Sequence, residues 1–164
     1  MHTVLKKSGG RNHRGRITIH HNGGRHKRLY RQLDYFNKGY RFILSGTVNK
    51  IEYDPNRTAN IGVCENGNRK FYTLLGTMGE IKVLKLKDVI VGDEVYNVSN
   101  RAGQCGKYGR STGTKLKVLK QGAKETIVRM PSRQIKALNN QNTCILGGVT
   151  GKPRDVIQKA GRNR

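Results

Sequence analysis

No carboxylate occurs before Asp34, while nine lysines and arginines and all five histidines of the chain stand before residue 32. A segment this one-sidedly cationic repels itself in water and is most stable against a dense anion such as a nucleic-acid backbone. Its Gly-, Arg- and His-rich composition, with one short apolar alternation at Ile17 and Ile19, cannot bury enough apolar surface to fix a fold. The sequence therefore predicts that residues 1–33 form an extended basic arm that orders on RNA.

The bias persists over the whole chain, with 33 Lys+Arg against 10 Asp+Glu and a formal net charge of +23 in 164 residues. A membrane surface is the competing anion. The basic stretches, however, carry Gly, Asn and His where a membrane-binding helix carries Leu, Phe or Trp, so no membrane partner is expected. No run approaches the roughly 18 apolar residues of a membrane span, and Met1 to Leu5 has no signal-peptide core. With 34% hydrophobic residues, no tryptophan and 21 glycines, the cores must be modest, one domain or two small ones. Such a fold gains stability when RNA binds it. Cys64, Cys105 and Cys144 are odd in number, far apart and without a CxxC pair, which predicts reduced structural thiols rather than a disulfide framework or a zinc site.

The middle of the chain reads as β structure. Phe42, Leu44 and Val48 share one parity and Ile51 and Tyr53 the other, a change that predicts a bulge bending one strand around a small barrel. Asp54-Pro55-Asn56 makes a turn. Ile61 and Val63, then Glu65-Asn66-Gly67-Asn68, then Phe71 and Thr73 read as a hairpin with Asn-Gly supplying positive φ. Further strands are expected over Ile81–Leu86 and Val89–Val91. A second set begins at Val95–Val98, breaks for a glycine-rich loop from Arg101 to Thr114, and resumes over Leu116–Leu119, Thr126–Met130 and Gln134–Leu138. The expected domains are a basic arm over 1–33, a first barrel over 34–94, a second over 95–150 and a basic extension over 151–164. Asp155–Lys159 is read as a helical turn.

In Arg11-Asn12-His13-Arg14-Gly15-Arg16 and in His20 to Arg28, guanidinium forks alternate with glycines that let the backbone approach a ribose-phosphate surface. The bland reading is a solvated tail, but such a tail does not need glycines among its arginines. The histidine run lacks Cys or carboxylate support for a metal. Gly106-Lys107-Tyr108 lacks the order of a nucleotide-binding P-loop, although amides of its glycine-rich turns can cradle phosphates with Lys107 or Arg110 adding charge. Tyr30, Tyr35, Phe36, Tyr40 and Phe42 are candidate base-stacking residues, with core packing as the alternative. Nothing is assembled for acid–base or nucleophilic work, so no enzyme and no cofactor is expected.

The segments Lys7–Asn12, Gly15–Thr18, His26–Arg31, Ile51–Ile61, Val91-Gly92, Arg110–Thr114 and Lys159–Arg162 resemble, in order, those of the universal large-subunit ribosomal protein number two. The resemblance implies an all-β fold, with an oligonucleotide-binding-type barrel followed by an SH3-like barrel and extended basic arms. It also implies a site on large-subunit rRNA near the peptidyl-transferase region and the subunit interface, among neighbouring ribosomal proteins. Carried over by position, Arg57, Arg110, Ser111 and Thr114 look like RNA contacts. Arg11, Arg14, Arg16, His26, Lys27 and Arg28 look like a threading extension. Lys7, Arg25, Arg31, Lys107 and Arg162 complete the expected RNA-binding set. The family continues into a long basic tail, so a split protein is expected, its tail separately encoded and docked nearby or dispensed with. Bacterial members keep both parts in one chain, and Lys, Asn and Ile are frequent here, which favours a mitochondrial ribosome over another organelle or the bacterial cytoplasm. A free nucleoid or RNA-chaperone protein is the reading from another class.

Overall fold

In a computed structural model of the chain, the described residues are 2–24, 26–34, 45–66, 69–78 and 81–151. They fall in two compact units, Met1–Gln32 and Leu33–Arg164.

The first unit has the apolar poverty its composition predicts: Val4, Leu5, Ile17, Ile19 and Leu29 are all exposed. Composition does not foresee how the segment is organised instead. Strand β1 (His2–Val4) pairs antiparallel with β2 (Leu29–Arg31), in the register His2↔Arg31 to Val4↔Leu29, so the arm doubles back on itself. Backbone hydrogen bonds supply the order that burial cannot.

The second unit is all-β. Its strands are β3 (Ser45–Glu52), β4 (Ile61–Asn66), β5 (Arg69–Leu74), β6 (Ile81–Lys85), β7 (Glu94–Tyr96), β8 (Val98–Ser99), β9 (Gly106–Tyr108), β10 (Leu116–Gln121), β11 (Glu125–Arg129), β12 (Ile135–Asn139) and β13 (Thr143–Leu146). An oligonucleotide-binding-type barrel is followed along the chain by an SH3-like barrel. One antiparallel sheet runs through both, in the order β12-β11-β10-β7-β13-β6-β3-β4-β5, and β8 pairs with β9 beside it.

The parity change in β3 is a bulge. Val48 pairs with Cys64 and Lys50 with Val63, leaving Asn49 as the extra residue. In the following hairpin Asn66 pairs with Arg69, so Asn66 belongs to the strand; the rest of the Asn-Gly turn reading falls on Gly67 and Asn68, which lie outside the described residues.

Three expectations are corrected. Val89–Val91 is not a strand: a 3₁₀ turn over Leu86–Asp88 precedes it, and Leu86 and Val89 are buried while Ile90 and Val91 are exposed. Burial at a spacing of three marks a tight helical turn rather than a strand. The glycine-rich loop contains a strand, β9, because Val98↔Tyr108 and Ser99↔Gly106 pair across it. Finally, β13 was not foreseen. Its four residues run into Gly147-Gly148, too short for alternation to show. The readings on Tyr35, Phe36, Tyr40, Phe42, Leu44 and Asp155–Lys159 lie outside the described residues.

The core has two parts. One gathers Leu86, Val89, Val95, Val98, Leu116, Val118, Val128, Leu138 and Cys144. The other gathers Ala59, Cys64, Phe71, Leu74 and Ile81 with Tyr96, Ile145 and Val149. They interleave along the chain because β13 pairs with β6 on one side and β7 on the other.

Candidate nucleic-acid interface

The turn that follows β3 is built by Asp54. Its Oδ1 accepts the Asn56 amide at 2.9 Å, an Asx turn, and its Oδ2 receives Arg57 Nε at 2.5 Å. The Asp54 side chain is fully buried and that of Arg57 is 18% exposed. A buried carboxylate needs a charged partner, so Arg57 first of all holds this turn together.

The segment Arg110–Thr114 turns at the surface of the second barrel. Ser111 O accepts the Thr114 amide at 3.0 Å and Thr114 Oγ1 at 2.5 Å, and Gly113 between them has φ +72°. Gly113 N donates to Val149 O and Val149 N donates to Thr114 O, which anchors the loop to the strand side of the barrel. Arg110 and Ser111 are exposed there.

These two turns, more than fifty residues apart in sequence, meet. Thr112 Oγ1 donates to Thr58 Oγ1 at 3.0 Å. Gly151 sits against the seam: it bridges Ala59, and a Cβ on it would lie 2.5 Å from Thr58 O and 2.6 Å from Thr112 Oγ1. Neither threonine pairing nor Gly151 was singled out by sequence reasoning; the only signal was that each threonine adjoins or follows within two residues a flagged arginine.

The glycine-rich hairpin divides its glycines by role. A Cβ on Gly106 would stand 1.9 Å from Asn97 Oδ1, and one on Gly109 would stand 2.7 Å from Leu116 Cδ1. Those two are packing positions. Gly103 (φ +75°) and Gly113 meet nothing within 4 Å, so their backbone is open to a ligand. Lys107 is exposed, its Nζ 6.0 Å from the Tyr108 ring centroid. Lys136, from β12, approaches that ring to 4.8 Å and donates to the Tyr108 hydroxyl at 2.6 Å. The Tyr108 hydroxyl donates in turn to Asn100 Oδ1. Lys117, Lys120, Lys124, Arg129 and Arg133 are further exposed cations of the second barrel.

In the first unit, Lys7 Nζ donates to His26 O, closing one part of the arm on another. His26 Nδ1 lies 2.9 Å from Lys27 O. His26, Lys27 and Arg28 are exposed and Arg31 is half-buried. Arg11, Arg14 and Arg16 are exposed on a loop organised by Asn12. Arg25 and Arg162 lie outside the described residues.

The three cysteines are free, Cys64 and Cys144 being buried. Burial pushes the Cys64 thiol up to about 11 and, with Asp88 adding to the effect, the Cys144 thiol up to about 12. Both are inert structural thiols at neutral pH.

Small barrels that carry surplus positive charge on turns, with two of those turns locked together, define a class: basic all-β proteins of the nucleic-acid-binding kind. Residues 1–97 match the family described as "Ribosomal Proteins L2, RNA binding N-terminal domain", and residues 78–164 match "Ribosomal Proteins L2, C-terminal domain". The chain belongs to the ribosomal protein L2 family. It is 38% identical over 178 residues to the large ribosomal subunit protein uL2 of Akkermansia muciniphila; the alignment covers 98% of this chain and 63% of that protein, so the chain spans somewhat less than two thirds of its relative's length.

Proposed function

We propose that this protein is a structural component of a large ribosomal subunit that binds and stabilises large-subunit rRNA near the peptidyl-transferase region and the subunit interface, with no catalysis of its own. The meeting of the Asp54–Thr58 turn with the Arg110–Thr114 loop is the observation that carries this reading. It fixes two arginine-bearing turns against each other, so that shape as well as charge can select folded RNA. The RNA-binding set is Lys7, Arg11, Arg14, Arg16, Arg25, His26, Lys27, Arg28, Arg31, Arg57, Lys107, Arg110, Ser111, Thr114 and Arg162. The arm over 1–33 and the extension over 151–164 neutralise phosphates, and the two barrels, assigned to 34–94 and 95–150, share a sheet. Neighbouring ribosomal proteins are its other partners. A mitochondrial ribosome is the proposed location; the bacterial source of the uL2 relative favours the bacterial cytoplasm as the second reading.

Sedimentation of ribosomes from the source cells, with mass spectrometry of the large-subunit fraction after a high-salt wash, tests this. The protein stays in the washed subunit at a salt concentration that strips non-specific cationic proteins. Loss into the wash, together with equal affinity for unrelated RNA and DNA, identifies a nucleoid or RNA-chaperone protein instead.

A further inference from the structure

The arm contains a small built loop that its composition does not account for. Arg11 and Ile17 form an antiparallel bridge. Between them, Asn12 Oδ1 accepts two backbone amides, from Arg14 at 3.0 Å and from Arg16 at 3.1 Å. The Asn12 amide donates to Arg16 O at 2.9 Å, and the Gly15 amide donates to Asn12 O at 3.0 Å with Gly15 at φ +76°. One residue therefore takes part in four hydrogen bonds that fix the loop carrying three arginines.

The loop stands on Gly10, which is buried although its neighbours are not. Gly10 O accepts the Thr18 amide, the Ile19 amide and the Thr18 hydroxyl at 2.8, 3.1 and 3.1 Å. A Cβ on Gly10 would lie 2.4 Å from Ile19 O and 2.8 Å from Asn22 O. The base as well as the tip is thus specified by backbone geometry. A chain that needed only charge has no use for this; an Asn at position 12 adds no charge and buries no apolar surface.

We propose that Asn12 is a positioning residue: it holds Arg11, Arg14 and Arg16 at a fixed spacing in the unbound protein, so that the loop meets the phosphates of folded RNA already formed. The proposal rests on the rRNA-binding reading above and deepens it. Ordering a loop in advance removes the entropy otherwise lost on binding. It improves affinity for a partner whose phosphates are themselves fixed, and has no such effect on a flexible strand that can follow any arrangement of cations.

The test uses the full chain, with two probes at one salt concentration: a transcript of structured large-subunit rRNA and poly(U). Asn12→Ala leaves the charge unchanged; it weakens binding to the transcript about five- to tenfold and to poly(U) by less than about twofold, an expectation of a lost preorganised loop. Asn12→Asp keeps the acceptor and adds a negative charge. It weakens both probes alike and so restores the preference for the transcript. An Arg11→Ala, Arg14→Ala, Arg16→Ala triple variant lowers both affinities and flattens the salt dependence, since cations themselves are gone. An unchanged transcript preference in Asn12→Ala, or failure of Asn12→Asp to recover it, overturns the proposal. Absence of any transcript preference in the unaltered protein is a different outcome: it removes the rRNA reading itself, and the role of Asn12 with it.

Discussion

Arg57 and Arg110 look equivalent in sequence, each the one arginine of its turn, and the structure separates them. Arg57 is paired with a buried carboxylate; Arg110 is exposed on its loop. Breaking a buried pair from one side strands the other charge and typically costs about 3–5 kcal/mol; with Arg57 18% exposed, solvent lowers the expectation to about 2–3 kcal/mol. Arg57→Ala should therefore lower the urea midpoint and weaken binding to an rRNA fragment. Arg110→Ala should weaken binding and lower the midpoint by less than Arg57→Ala does, because Arg110 is exposed. Equal midpoints for the two variants would show that Asp54 does not depend on its partner. The distinction was open to sequence reasoning in one respect: an Asp three residues before an Arg, across Pro55-Asn56, lets both side chains reach the same side of a turn. Burial of the Asp54 carboxylate was not, because nothing in a polar turn announces that the chain around it closes.

At the level of the strand, legibility followed length and alternation. The bulge in β3 was visible because the apolar run from Phe42 to Tyr53 in the sequence is long enough for its parity to change, and the pairing places the extra residue at Asn49. By contrast β9 has three residues, two of them Gly106 and Lys107, and its strand character comes from pairing with β8 rather than from its own side chains. The triplet Val89–Val91 erred in the other direction, being apolar throughout while only Val89 is inward. The β8–β9 hairpin makes its own prediction. Gly106→Ala forces a methyl group into Asn97, whose backbone carbonyl as well as its side chain is in the way, and should cost about 3 kcal/mol or more by overpacking. Gly103→Ala meets no atoms, so only its positive φ is penalised, at roughly 1 kcal/mol. Urea unfolding of both variants measures the gap; similar losses would mean that the hairpin yields without resistance.

For the molecule as a whole, each core carries one buried thiol, Cys64 in one and Cys144 in the other. Their folded values, about 11 and about 12, lie above the ordinary 9.0. A raised value means that the neutral thiol is favoured by folding, so this contribution is complete below pH 9 and is lost as pH rises toward 11 and 12. Tyr96 is shifted upward as well, by burial first and by Cys64 second, and acts in the same direction. Between pH 8 and pH 11 the two thiols should remove at most about 5 kcal/mol. A Cys64→Ala, Cys144→Ala variant should show a shallower decline in urea midpoint over that interval; an identical decline would assign the loss to other groups. Fluorescence of the tyrosines and far-ultraviolet circular dichroism should fall together in each titration, because the shared sheet joins both cores.

The interleaving of the cores also bears on how the protein is made. Synthesis delivers β3 to β6 early, yet their core is completed by Tyr96, Ile145 and Val149, the last two of which follow some sixty residues after β6 ends. During translation the first barrel is left with an open side until β13 emerges and slots between its two neighbours. That core thus cannot be complete before nearly the whole described chain has been made, and Val149, which follows the same late strand, is also the residue that bonds the loop carrying Thr112. A nascent chain halted before Thr143 would carry the charge of this protein without the surface that gives that charge an address.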